Sequence, residues 1–311
     1  MPTELEEKLL SFLNLYWLRP ENGLLSTFQS KVFEDIPFES PSIDISCGDG
    51  LFDFIHFGGK LDEDFDFFQE TKANQFSHSS FVDIFDSFDE NYQVKISKMP
   101  NNKIDYGTDW KQSLLDKSEK INFYKNLVLH DNNQTPLPFE DNFFKTIYSN
   151  AVYWTQKDKV KDLLVDIHRI LHPNGTAILQ VMTPSHLETL NTLSKFLSPK
   201  AIDILDRKRR STMTIDWTTN DWKKLILDCG FKIKQVRNTY PNNIIMDIWN
   251  IGLRPIGHLL IQMSDSLSVE KKHEIKKEWV EIFFELFKPL LDIEETYTDE
   301  NQPYPCFILQ K

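Results

Sequence analysis

A doubly wound, mostly parallel α/β sheet is the fold this sequence predicts, and three observations carry that expectation. The stretch Ser42-Ile43-Asp44-Ile45-Ser46-Cys47-Gly48-Asp49-Gly50 reads as a short buried strand that turns into a glycine-rich loop, the place in such folds where backbone meets ligand. Strand-like and helix-like segments then alternate, which implies parallel strands joined by crossover helices. Polar residues fall at the ends of successive strands, each suited to one part of a nucleoside-like ligand. Gly48 and Gly50 remove two side chains where a bound molecule approaches the main chain, and they permit the positive φ angles of a tight turn.

The elements follow in order. Leu5, Leu9, Phe12, Leu13 and Tyr16 share one face at three- and four-residue steps, an opening helix, and Pro20 starts a second. Strands are expected near 41–46, 103–108, 126–130 and 143–149. Thr155-Gln156-Lys157-Asp158 has the form of a capping box, and Val160, Leu163, Leu164, Ile167 and Leu171 form the apolar face of the helix it would open. Pro173-Asn174-Gly175 stops that helix before a strand over 176–182. A second capping box at Thr218 to Asp221 opens a helix that ends at Gly230, and a strand over 231–236 follows.

Two segments break the rhythm. Between Leu61 and Glu90, Asp62, Glu63, Asp64, Asp66, Glu70, Asp83, Asp86, Asp89 and Glu90 face the single Lys72, interleaved with Phe65, Phe67, Phe68, Phe76, Phe81, Phe85 and Phe88. A disordered acidic tail seldom holds so many aromatics, so residues 57–102 are expected to fold as an inserted lid over the carboxyl ends of the strands, shaping a substrate or merely capping the sheet. From about Asn242 onward, Ile275, Trp279, Ile282, Phe283 and Leu286 make an amphipathic stripe, and Tyr304 to Leu309 are expected to return as a strand at a sheet edge. The expected organisation is a helical cap over 1–40, a central domain over 41–240, and a helical extension with a last strand over 241–311.

Composition narrows the partners. The 311 residues carry a formal net charge of −12, which argues against duplex nucleic acid or an anionic membrane as the main partner and leaves room only for a local basic groove. Cys47, Cys229 and Cys306 lie far apart without metal-ligand spacing, which suits a reducing cytoplasm and supports neither a disulfide scaffold nor zinc. Glu4, Glu6 and Glu7 precede the first apolar residues, unlike a secretory signal. The most apolar stretch, Ile244 to Met263, is interrupted by Asp247, Asn250, Arg254 and His258, so no membrane span is expected.

With these residues in place, the span from Pro41 to Val236 resembles the class I S-adenosylmethionine-dependent methyltransferases, in particular the branch with an Asp-x-x-Cys-Gly-x-Gly loop and a Rossmann-like methyltransferase fold. The resemblance implies S-adenosylmethionine as cofactor. It implies that Asp44 helps hold the methionine end, with Gly48 and Gly50 beneath it. Gly107-Thr108-Asp109 looks like the end of the second strand, where Asp109 accepts from both ribose hydroxyls. Trp110 would lie against the adenine, and in His130-Asp131-Asn132 the carboxylate of Asp131 would accept from the adenine amino group, with Asn132 beside it. Leu137-Pro138-Phe139-Glu140-Asp141-Asn142-Phe143-Phe144 matches the family's run into the fourth strand, followed by Ser149-Asn150, and Asn150 joins the cofactor set. Arg169-Ile170-Leu171-His172-Pro173-Asn174-Gly175 matches its approach to the fifth.

The implied reaction is an in-line displacement that methylates an O or N atom of a small-molecule acceptor: a sugar, lipid precursor or other metabolite. The alternative is a non-catalytic cofactor-binding or scaffold protein on the same fold. A nicotinamide site wants a small residue three places after Gly50, where Asp53 stands, and no Walker sequence is present. Aminopropyl transfer and metal-dependent methyl transfer would want an acid after the fourth strand, which Ser149 and Asn150 do not supply. Tyr16, Trp17, Tyr153 and Trp154 are candidates to meet the acceptor. His56 and Tyr153 are candidate bases, although a histidine flanked by apolar residues equally fits a core position; His168 and His258 read as packing residues. The Asp62 to Asp66 cluster reads as a solvated acidic face, and no metal site is expected. Arg207-Lys208-Arg209-Arg210 reads as a helix end or as a site for an acceptor anion.

Overall fold

The computed structural model describes residues 2–68, 91–207, 210, 214–298 and 300–311. The middle of the expected lid, including Phe76, Phe81, Phe85 and Phe88, lies outside the described residues, as do Lys208 and Arg209.

Seven strands form one sheet: β1 (Ser42–Ile45), β2 (Ile104–Asp109), β3 (Tyr124–Leu129), β4 (Phe144–Ser149), β5 (Leu171–Gln180), β6 (Lys232–Asn238) and β7 (Pro305–Gln310). Their order is β3-β2-β1-β4-β5-β7-β6, and every pairing is parallel except those of β7. The order reverses at β1, the switch point at which the glycine loop leaves the sheet. The last strand was expected at an edge; it is instead inserted between β5 and β6. Its sequence explains the difference, since Cys306, Phe307, Ile308 and Leu309 are all buried, and a strand apolar on both faces needs neighbours and cover on both sides.

Alternation assigns the two faces. Ile147, Ala177, Leu179, Phe307 and Leu309 point into one core with α5 (Val160–Ile170) and α8 (Thr219–Asp228), while Tyr148, Ile178, Cys306 and Ile308 point into the opposite one with Val32 and Phe33. A third cluster gathers Phe12, Leu15 and Trp17 with α3 (Leu51–His56), Phe65, Phe67, Phe68 and Tyr92. The helices α1 (Glu4–Leu15) and α2 (Pro20–Lys31) begin as expected, α1 at a Thr3–Glu6 capping box and α2 with Pro20 in its first turn. Described parts of the insertion pack back on the molecule: Lys276 Nζ donates to the Glu63 and Phe65 carbonyls, and Asp66 pairs with Lys272. The acidic cluster is therefore part of an ion-paired seam, with His273 on Asp64, and no group of metal ligands occurs among the described residues.

The helix α4 (Gln112–Ile121) links β2 to β3, and α6 (Glu188–Leu193) and α7 (Pro199–Asp206) follow β5. After β6 come α9 (Asn243–Ile251), α10 (Gly257–Asp265) and α11 (Val269–Phe287). On α11 the expected stripe is only partly inward: Ile275, Trp279 and Phe283 pack half-buried against the core, while Ile282 and Leu286 are exposed.

Of the two capping boxes expected from the sequence, one forms and one does not. At Thr218 the hydroxyl accepts from the Asp221 amide and the Asp221 carboxylate accepts from the Thr218 amide, and α8 ends before Gly230 at φ +97°. Thr155 caps nothing: α5 starts at Val160, because the Gln156 amide is bound by Asn133 Oδ1 across the crevice at 2.8 Å and holds the chain out of helix. Leu171, expected on the helix, opens β5 by pairing with Phe144.

Two stability predictions follow from α8. Replacing Thr218 by Ala should cost about 1 kcal/mol by removing the cap. Trp222→Ala should cost about 3–5 kcal/mol, because Trp222 is fully buried and donates its indole N–H to the Met182 carbonyl at 3.1 Å. Chemical denaturation measures both; a Trp222→Ala loss no larger than the cap's would show that α8 does not hold the core.

Candidate functional site

The carboxyl ends of β1, β2 and β3 are tied into one crevice by backbone hydrogen bonds. The Cys47 amide donates to the Thr108 carbonyl at 2.7 Å and the Gly48 amide to Asp109 Oδ2 at 3.1 Å, while Asp109 Oδ1 accepts from the Lys111 amide at 2.9 Å. Gly48 and Gly50 have φ of +59° and +76°. At Gly50 a Cβ would also lie 2.8 Å from Ser118 Oγ and from the Tyr124 ring, so this position needs glycine for space as well as for dihedral. Burial pushes the Asp109 carboxyl up, against the pull of its backbone donors.

Ser46, which composition did not single out, holds φ +68°. Its hydroxyl accepts from Asn132 Nδ2 at 2.7 Å, linking the loop to the turn after β3. A serine in the left-handed region is strained, and such strain persists where surrounding contacts enforce it. Asn132 is buried, and its Oδ1 has no protein partner.

Beneath the loop lies a buried carboxyl pair. The Tyr124 hydroxyl donates to Asp53 Oδ2 at 2.8 Å and lies 3.2 Å from Asp44 Oδ2; the two carboxyls also share a hydrogen bond. Both are nearly inaccessible, at 4% and 2% exposure. Burial, then the neighbouring carboxyl, drives Asp44 well above the usual carboxylate range, and burial raises Asp53 to about 6. Two close acids in a dry site share one proton, so near neutral pH the pair carries about one negative charge. Asp44 Oδ1, Asp53 Oδ1 and Ser118 Oγ have no protein partner.

The structure brings Asp44, Gly48, Gly50, Asp109 and Asn132 together. Asp131 shapes its own turn through one oxygen: Oδ1 accepts from the amide and the side chain of Asn133. Trp110 stands next to Asp109 with 62% of its surface exposed, beside Lys111. Asn150 is half-buried after β4, where Ser149 Oγ donates to the Ile45 carbonyl. Tyr16 lies near Asp49, whose charge raises the phenol after burial has done so. Trp17 is not at the crevice. Its indole donates to Asp66 at 3.0 Å and it packs edge-on against Trp279, a core position.

Neither candidate base is poised to titrate. His56 is buried among Phe33, Phe38, Phe52 and Phe57 with Nδ1 2.8 Å from Ser30 Oγ, and burial lowers it to about 3. It is an aromatic-core residue, as its apolar flanks allowed. Tyr153 packs against Tyr304 and Trp154, and burial raises it to about 12. Two surface cavities, about 320 Å³ between α1 and α11 and about 430 Å³ beside the end of β6, lie away from the glycine loop.

A ligand that donates hydrogen bonds and carries positive charge fits this set of unpartnered buried acceptors. The pair has a pH signature. Asp53 binds its proton more tightly folded than unfolded, so stability should fall as pH rises from about 4 through about 6. Thermal melts across that window should show the fall in the native chain and a flatter profile in Asp53→Asn; parallel profiles would remove the shared proton.

Comparison with known proteins bears on what this crevice holds. Residues 98–179, β2 through most of β5, match the family model described as a methyltransferase domain. No curated protein matches the chain. Among solved structures, a TehB-like SAM-dependent methyltransferase from Corynebacterium glutamicum ATCC 13032 Kitasato is 10% identical over 91% of this chain and 87% of its own, with a TM-score of 0.42. A S-adenosylmethionine-dependent methyltransferase from Mesorhizobium loti is 13% identical over 87% and 90%, with a TM-score of 0.42. The [4+2]-cyclase SpnF is 10% identical over 94% and 82%, with a TM-score of 0.46. Over residues 98–179 the chain is thus similar to a methyltransferase domain.

Proposed function

We propose that this protein transfers the methyl group of S-adenosylmethionine to an O or N atom of a small-molecule acceptor, a sugar, lipid precursor or other metabolite, in the cytoplasm. The observation that carries the reading is the Gly48–Asp109 hydrogen bond, which joins the glycine loop and the acid after β2 in one crevice. Each Asp109 oxygen already accepts one backbone N–H, and each keeps a lone pair for a ribose hydroxyl. Asn132 Oδ1 is a buried acceptor with no protein partner, suited to the adenine amino group beside Asp131, whose Oδ1 is held in its own turn. Trp110 covers the adenine, Asn150 borders the crevice, and the Asp44–Asp53 pair faces the amino-acid arm.

The cofactor supplies an activated methyl group on a sulfonium; the chain supplies alignment and exclusion of water. Tyr16, Tyr153 and Trp154 border the acceptor side. Since His56 is held neutral and Tyr153 protonated, the reading favours an acceptor already nucleophilic at neutral pH. The division into a 1–40 cap, a 41–240 cofactor domain with its 57–102 lid, and a 241–311 extension belongs to the same proposal.

Calorimetric titration with S-adenosylhomocysteine should show binding that Asp109→Ala weakens by at least about tenfold, the scale of one lost hydrogen bond to a charged group. Equal and negligible heat for both proteins would sink the proposal. Labelled S-adenosylmethionine in a cell extract should mark a small molecule; binding without transfer would instead favour the non-catalytic reading.

A further inference from the structure

The helices that follow β5 and β6 break the usual rule that a packed helix turns its polar side outward. In α9 and α10, Ile245, Met246 and Ile261 are buried, yet the opposite faces carry Ile251, Ile256, Leu259 and Met263, each more than two-fifths exposed. Ile256, Leu259 and Met263 stand at i, i+3 and i+7, one continuous outward stripe. Only 28% of the most apolar window in Asn243–Asp265 is buried, although this stretch is long and apolar enough to cross a membrane by length and composition. It does not form one rod. Gly252 ends α9, Pro255 lies in the turn, and each nine-residue helix is about 14 Å long, half of the roughly 30 Å a bilayer core requires. Two short helices, apolar on the side away from the protein, suit a position in the plane of an interface.

Charge selects the interface. In a chain of net charge −12, the described residues of 195–210 carry four basic side chains, Lys195, Lys200, Arg207 and Arg210, and two acidic ones, Asp203 and Asp206. One of those acids, Asp206, is buried and paired with Arg210. Arg207 is fastened to the apolar turn: its Nη1 donates to the Pro255 carbonyl at 3.3 Å and lies 3.0 Å from His258, and Arg254 donates to the Arg207 carbonyl. Phe196, 79% exposed, and Ile204 extend the apolar surface beside Lys195 and Lys200. Cations beside exposed aliphatic and aromatic groups complement an anionic lipid surface, which takes the apolar side chains below its headgroups and the cations among them.

We propose that the face formed by α7, α9 and α10 docks the protein on an anionic lipid bilayer. The expectation from net charge is thereby reversed for this face alone, where of the acids on its helices Asp206, Asp247 and Asp265 are engaged by Arg210, Thr189 and Lys272. The face abuts the start of α2, where Gly252 packs against Glu21 and Gly257 against Arg19.

The full chain should co-sediment with vesicles of phosphatidylcholine containing phosphatidylserine, weakly or not at all with phosphatidylcholine alone, and less as salt is raised. Phe196→Glu combined with Met263→Glu should reduce the bound fraction at least about tenfold, and Lys195→Glu with Lys200→Glu should remove the preference for anionic lipid. These positions are exposed, and unchanged S-adenosylhomocysteine binding and melting temperature certify that the variants are folded. Absence of the native chain from the anionic-vesicle pellet overturns the proposal. So does a native dimer that Met263→Glu dissociates without any vesicle binding, which would assign the face to a second copy. Vesicle binding is read without turnover, so its failure leaves the methyltransfer reading standing.

Discussion

A carboxylate at the end of one strand that receives the backbone of its neighbour's loop is a constraint on both. The Gly48 amide bound to Asp109 fixes how far the loop leans over β2, and the same carboxylate caps the chain after β2 through Lys111. Without that tie the glycine turn and the β2 end would be two separate features. With it, movement of either strand end displaces the other. The Ser46–Asn132 bond extends the tie to β3, so three crossovers with no sequence proximity become one rim.

Below that rim the interior is unusually polar for its depth. Asp44, Asp53, Tyr124 and Ser118 occupy volume that an ordinary core would fill with aliphatic groups, and burying them incurs desolvation that their mutual hydrogen bonds offset only in part. The pair avoids the larger penalty of two adjacent buried anions by retaining a proton. An aromatic shell of Phe33, Phe38, Phe52 and Phe57 surrounds His56 on the other side of α3, so α3 separates a polar pocket from an apolar one.

What the sequence made legible was local. The glycine loop, the Thr218 cap, Pro20 and Gly230 each announce themselves within a few residues, and each appears where expected. The errors share one cause, a partner distant in the chain. Thr155 loses its helix to Asn133; Trp17 is drawn inward by Asp66, 49 residues on. The Asp53–Tyr124 bond spans 71 residues and left no trace in spacing, and Asp53 had been noticed only as a residue too large for a nicotinamide fingerprint. Asp131 shows the converse, a residue whose type fits the ligand but whose local turn claims it first. The strand order beyond β5 was also hidden, because hydrophobic alternation reports burial and not neighbours.

The insertion of β7 between β5 and β6 has a consequence for how the chain is made. β6 leaves the ribosome some seventy residues before β7 and has no other strand to pair with in the finished sheet. Its N–H and C=O groups, and the flank of β5, stay open through the synthesis of α9, α10 and α11. The flank of β5 and the whole of β6 are thus nascent edges until β7 emerges, and closure of the sheet is a late, long-range event.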